Sequence, residues 1–230
     1  MNAQLLDEHF SGATLDSRLH WTNPPERWRL DSARRTLILE PAANTDFWQR
    51  THYGFSADNG HFLGLEVAGD FTVSTQLAFH PVHQYDQAGL MIRASANCWL
   101  KTSVEHELNG PPQLGVVVTN HGFSDWSLQD LPLAGRQIRL RLRLQAGDVT
   151  AEFSAAIEKD STDDPRIASR TVPSSTTAST KVHGRDEWKP MRIAHLHSPA
   201  DLPLLCGLYA CSPKGAGFRA EFDFLRVEQS

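Results

Sequence analysis

From Arg136 to Leu144 the chain reads RQIRLRLRL, and this strict alternation restricts the local backbone to one regular form. In an extended strand successive side chains point to opposite faces, so Ile138, Leu140, Leu142 and Leu144 share one side and Arg139, Arg141 and Arg143 the other. A helix would spread the same aliphatic residues around its circumference and carry arginines into any face it buried. The segment is therefore a half-buried strand. Ala146-Gly147-Asp148 then supplies a turn, and Val149, Ala151 and Phe153 continue an apolar face opposite Thr150, Glu152 and Ser154, as a returning hairpin arm requires. Glu152 is placed to pair with the arginine row, whose remaining charge is expected to be solvated.

The same period recurs. Strands are expected over Thr36 to Glu40, Phe71 to Phe79, Leu114 to Thr119, Leu204 to Ala210 and Phe218 to Val227, most bounded by Gly, Pro, Asn or Asp. No long segment carries a helical stripe. Phe71, Val73, Thr75, Leu77 and Phe79 form one apolar face, and Phe218, Ala220, Phe222 and Phe224 another, enough for two sheets to pack together. The chain's 230 residues, 40% of them hydrophobic, suit a single all-β domain over 1–230, an antiparallel sandwich of about a dozen strands. Glu158 to Asp186 breaks the pattern, being rich in Ser, Thr, Asp and Lys and nearly devoid of large apolar residues. A polar, mobile insertion is expected around 158–186.

Composition excludes several partners. A net charge of -5 and a pI near 6.1 give no general attraction to nucleic acid or to an anionic membrane. The sequence MNAQLLDEHF lacks a basic region followed by an apolar stretch, and no run approaches the roughly 20 apolar residues that span a bilayer. A cytoplasmic protein follows. Cys98, Cys206 and Cys211 are odd in number and lack zinc-ribbon spacing, so free thiols are expected, with a Cys206–Cys211 bridge as the alternative. No phosphate loop, dinucleotide fingerprint or nucleophile elbow is present, and no cofactor is expected. Asp46, Asp58, Asn59, Asp70 and Asp86 offer oxygens for calcium, yet without EF-hand spacing, and His195 and His197 lack a third ligand, so no metal is expected either.

The chemistry concentrates between Tyr85 and Glu105. There Ala88, Leu90 and Ile92, then Leu100, Thr102 and Val104, alternate with Gln87, Gly89, Met91 and Arg93, then Trp99, Lys101, Ser103 and Glu105. One face reads as core and the other as a ligand-facing surface. Flat aromatic surfaces for the apolar faces of sugar rings and planar polar groups for their hydroxyls are what a carbohydrate groove requires. Trp99 would stack, with Trp48 and Trp126 as further plates, and Gln87, Arg93, Lys101 and Glu105 would hydrogen-bond. The competing reading makes Trp48 and Trp126 core aromatics at strand ends. Glu105 and Glu107, one residue apart, would project from one strand face about 7 Å apart, within the range of a carboxylate pair for glycoside hydrolysis. Glu105 would then be the catalytic acid or base; otherwise it is salt-bridged to Lys101 or Arg93.

Seven segments occur in order along the chain: Thr45-Asp46-Phe47-Trp48, Tyr53-Gly54-Phe55, Gly69-Asp70-Phe71, Tyr85-Asp86-Gln87-Ala88-Gly89-Leu90, Trp99-Leu100-Lys101, Ser124-Asp125-Trp126-Ser127 and Cys211-Ser212-Pro213. Together they resemble the DUF1349 family, which takes in regulation-of-enolase-like proteins. The resemblance implies a concanavalin A-like jelly-roll β-sandwich of two antiparallel sheets, the architecture of legume lectins and several glucanases, and it implies no particular reaction. One departure stands out, since Phe153-Ser154 is separated from Trp188 by the polar insertion where the family runs on directly. Three functions remain in view. They are binding of a carbohydrate or polyhydroxylated ligand on the concave sheet, a glycoside hydrolase or lyase using Glu105, and a regulatory module that contacts another protein.

Overall fold

Seventeen strands and no helix make up the described residues, 3–131, 137–155, 187–198 and 202–230, of a computed structural model. The insertion expected at 158–186 lies outside them. Eight strands form one antiparallel sheet. Edge to edge it runs β15 (Lys189–His195), β14 (Asp148–Ala155), β13 (Gln137–Gln145), β8 (Phe71–His80), β17 (Arg219–Gln229), β4 (Thr36–Glu40) and β3 (Arg27–Asp31), with β1 (Gln4–Glu8) also paired to β17. Seven strands form the other, in the order β12 (Phe123–Asp130), β11 (Gln113–Asn120), β10 (Cys98–Glu105), β9 (Gln87–Ser95), β16 (Leu204–Cys211), β7 (His61–Val67) and β2 (His20–Thr22). A separate hairpin pairs β5 (Phe47–Gln49) with β6 (Ser56–Asp58). Two antiparallel sheets packed face to face give the jelly-roll sandwich that the alternation and the family resemblance both imply.

The core between the sheets is built by the period-two rule. Leu140 and Leu142 of β13 and Val73 and Leu77 of β8 meet Leu90 and Ile92 of β9, Leu100 of β10 and Leu208 of β16, all buried in one cluster. Each such side chain contributes about 1.5–3 kcal/mol of burial. On the outer side of β13, Arg141 and Arg143 both reach Glu152, at 2.7 and 3.1 Å, and the Arg141 guanidinium lies 4.1 Å from the centre of the Trp188 ring. The arginine row is thus paired with protein groups as well as solvated.

Strand β17 departs from simple alternation. A register shift between Phe222 and Phe224 moves Leu225 and Val227 into the core, where Phe224 was expected. Phe224 instead lies outside, beneath Arg226 and beside His9. The irregularity divides one edge of β17 between two partners: residues 220–222 pair with β4 and 225–228 with β1. Cys206 and Cys211 lie on opposite faces of β16, in two different apolar clusters, so the alternative of a bridge between them is closed, and all three cysteines are free. Among the described residues no helix is long and apolar enough to cross a membrane.

Candidate functional site

The face of the seven-stranded sheet turned away from the core carries a second, smaller apolar cluster. Met91 of β9, Trp99 of β10, Val117 of β11 and Tyr209 of β16 are roofed by Phe47 and Trp48 of the β5–β6 hairpin. Phe47 makes edge contacts with the rings of Trp99 and Tyr209, each at 6.3 Å between centroids. Polar bonds hold the hairpin down. Arg93 grips Asp58 of β6 with two hydrogen bonds of 2.7 and 2.8 Å, and Ser124 of β12 accepts from the Gln49 backbone N–H at 2.8 Å.

Next to this roof the sheet opens into a cleft of about 210 Å³. Its floor is polar. Lys101, only 3% exposed, donates from Nζ to Gln87 Oε1 at 2.8 Å and to Asp46 Oδ1 at 3.1 Å, and the Tyr209 hydroxyl donates to the same Gln87 oxygen at 3.2 Å. Glu105 lies four residues further along β10 on the same face and is 4% exposed. Burial pushes its carboxyl up to about 8; the Lys101 cation pulls against that rise, while Asp46 and Glu107 reinforce it. Gly115 of β11 leaves the room this needs, since a Cβ there would sit 3.2 Å from Ser103 Oγ and 3.4 Å from Glu105 Oε2.

The walls are aromatic. Trp48 meets Trp126 edge-on at 6.3 Å and Tyr53 at 5.5 Å, and Tyr53 and Phe55 leave 51% and 45% of their surface open at the rim. Trp48 donates its indole N–H to the Thr51 carbonyl at 3.0 Å, whereas the Trp126 N–H is buried with no partner. Across the mouth, Lys214 lies 5.7 Å from the centre of the Tyr85 ring. The loops that carry these rim residues are pinned by fully buried Asp86. Its carboxylate accepts from the backbone N–H groups of Val82 and His83, both at 2.8 Å, and from the Ser212 hydroxyl. The Ser212 N–H in turn donates to Thr45 Oγ1 at 3.0 Å. Six of the seven family segments thereby converge on one cleft.

Of the residues expected from sequence, Trp48, Gln87, Lys101, Glu105 and Trp126 line the cleft. Two do not. Trp99 is 0% exposed beneath the hairpin and spends its N–H on the Ala96 carbonyl, so it supports the floor and offers no face for stacking. Arg93 is committed to Asp58. The paired carboxylates also need correction, because β10 ends at Glu105 and Glu107 lies beyond it, bonded to Gln84 Nε2 at 2.9 Å. Asp46 is the second carboxylate at the floor. Asp46, Tyr53, Phe55, Tyr85 and Lys214 were not predicted as ligand contacts, although all but Lys214 fall inside segments that carry the family resemblance. Among the described residues no group of three or more His, Cys, Asp or Glu is arranged to hold a metal. His195 instead bonds Asp148 at 2.7 Å, and His197 meets His121 at 3.3 Å.

Known proteins share both the sequence and the fold. The Saccharomyces cerevisiae protein called Regulation of enolase protein 1 is 30% identical over 203 residues, spanning 88% of this chain and 85% of that protein. A crystal structure of a functionally unknown Saccharomyces cerevisiae protein superposes with a TM-score of 0.73 at 28% identity, covering 93% of this chain and 97% of the other. A Bacteroides ovatus protein described as xyloglucan PUL GH43B gives a TM-score of 0.69 at 18% identity, with 97% of this chain matching 39% of that one, a likeness of fold alone. Residues 21–230 match DUF1349, described as a protein of unknown function, and the chain belongs to that family.

Proposed function

We propose that the cleft binds a carbohydrate or other polyhydroxylated ligand about one ring in size. One observation carries this reading: aromatic walls of buried Trp48 and exposed Tyr53 and Phe55 stand over a floor of buried Lys101, Gln87 and Glu105 and half-buried Asp46. Such walls suit the apolar face of a pyranose, and the floor supplies donors and acceptors for its hydroxyls. The volume falls below the roughly 300–1,000 Å³ of sites for drug-sized ligands, which favours a single ring or the end of a chain. The fold likeness to GH43 proteins is compatible with this reading without carrying it. Three buried thiols fit a reducing compartment, the cytoplasm.

A second reading is a glycoside hydrolase or lyase. It is favoured by Glu105, whose carboxyl is pushed up to about 8 beside a second carboxylate, Asp46, that is ion-paired to Lys101. A raised and a paired carboxyl facing one cleft is the arrangement from which an acid and a base are drawn.

Thermal denaturation against a panel of monosaccharides, oligosaccharides and soluble glycans tests the binding reading. A ligand at 100 times its dissociation constant stabilises by about 2.7 kcal/mol, and the shift should vanish in Trp48→Ala. No shift across the panel would refute it in favour of a protein partner, the role that the yeast relative's name suggests. Release of reducing sugar that disappears in Glu105→Gln would establish the hydrolase reading.

A further inference from the structure

We infer that the cleft selects electroneutral polyols and rejects their carboxylate and phosphate counterparts, with Glu105 serving as a hydrogen-bond donor to the ligand. The inference rests on the carbohydrate reading above and narrows it to a substrate class.

The argument is one of charge balance in a buried place. Lys101 is the floor's cation, and its charge is already shared between Asp46, at 3.1 Å, and the Gln87 amide oxygen, at 2.8 Å. Two of its three N–H donors are thereby used, leaving one for a neutral acceptor oxygen. Glu105 is as deeply buried and has no cation of its own. Its charged and titratable surroundings are Lys101 on β10, Asp46 before β5, Glu107 after β10, Tyr85 before β9 and Tyr209 on β16. One cation thus faces three carboxyl groups and two phenols. Held neutral, Glu105 presents an O–H donor on the same strand face as the Nζ donor of Lys101, and ether or hydroxyl oxygens of a ligand can accept from each.

An anionic ligand would add a further negative charge where desolvation is already costly and the one buried cation is spent. Lys214 does not alter this balance. It is exposed at the rim over Tyr85, where solvent and salt screen it. The aromatic walls likewise offer apolar ring faces and no further cation.

The test titrates the wild-type protein, by calorimetry and thermal shift, with D-glucose, D-xylose, D-galactose and D-mannose, and with D-glucuronate, D-galacturonate and glucose 6-phosphate. Neutral sugars are expected to saturate, and each charged counterpart to bind at least 10-fold more weakly. The affinity of the best neutral sugar should also fall as pH rises through about 8, where Glu105 gives up its proton. That pH series needs no variant to fold. In Glu105→Gln, a neutral amide that still donates, the fall with pH should disappear. Tighter binding of a uronate or sugar phosphate, or affinity that rises with pH, would overturn this inference and leave the carbohydrate reading standing. Saturation by none of the seven compounds would overturn both.

Discussion

At Glu105 the folded protein holds a proton that the unfolded chain releases, because burial raises the carboxyl from its ordinary 4.5 to about 8. The folded state therefore binds more protons across that interval, and stability falls as pH rises from about 4.5 to about 8. The loss is of the order of a few kcal/mol. Urea denaturation of wild type and Glu105→Gln from pH 5 to pH 9 should show the wild-type curve falling away from the variant; parallel curves would mean that Glu105 is ionised throughout. Lys101→Met leaves Asp46 without its cation, and since Asp46 keeps 18% of its side chain exposed the cost falls below the roughly 3–5 kcal/mol of a fully buried pair. Its midpoint in urea should drop accordingly, and sugar binding should go with it. At this scale the sequence was informative about facing and silent about covering. Parity assigned Trp99, Lys101 and Glu105 to one side of β10, but nothing local announced that Phe47, some fifty positions earlier, would roof Trp99 and not Glu105.

Two elements behave in ways that alternation alone does not determine. On β17 the register shift reverses which side faces inward, so Leu225→Ala should cost about 2–5 kcal/mol and Phe224→Ala far less. Equal costs would place both side chains in the core. The β5–β6 hairpin is three residues a side and is held by what it covers, through Phe47, the Asp58–Arg93 pair and the Gln49–Ser124 bond. Phe47→Ala should lift this roof, moving tryptophan emission to longer wavelength and making Trp99 accessible to acrylamide, while the main core stays folded. Unchanged quenching would show that the hairpin seals the floor without Phe47. The long strands β8, β11, β13 and β16 were readable because each has one face on the core. The hairpin was not, since Phe47, Trp48 and Gln49 are buried in succession and three residues carry no period.

Across the whole molecule, the two faces of the seven-stranded sheet divide the labour, one packing the sandwich and the other building the cleft. Thiol chemistry reports on this arrangement. Cys206 lies in the main core, Cys211 in the small cluster beneath the hairpin, and burial pushes both thiols well up. Ellman's reagent should find almost no reactive thiol in the native protein and three after denaturation. A fast-reacting thiol in the native state would reveal that one layer opens on its own. The architecture was legible because period-two segments dominate the chain, whereas the cleft was only half legible, because it draws on loops brought together by Asp86 and Ser212.

Strand β17, which follows all its partners in the sequence, lies inside its sheet, between β8 on one side and β4 and β1 on the other. During synthesis, the inner faces of β1, β4, β8 and β13 therefore wait, wet and unsupported, for residues 219–229 to leave the ribosome. A chain stalled before residues 219–229 emerge leaves those strands without their central partner, with apolar surface and open edges for a chaperone to hold.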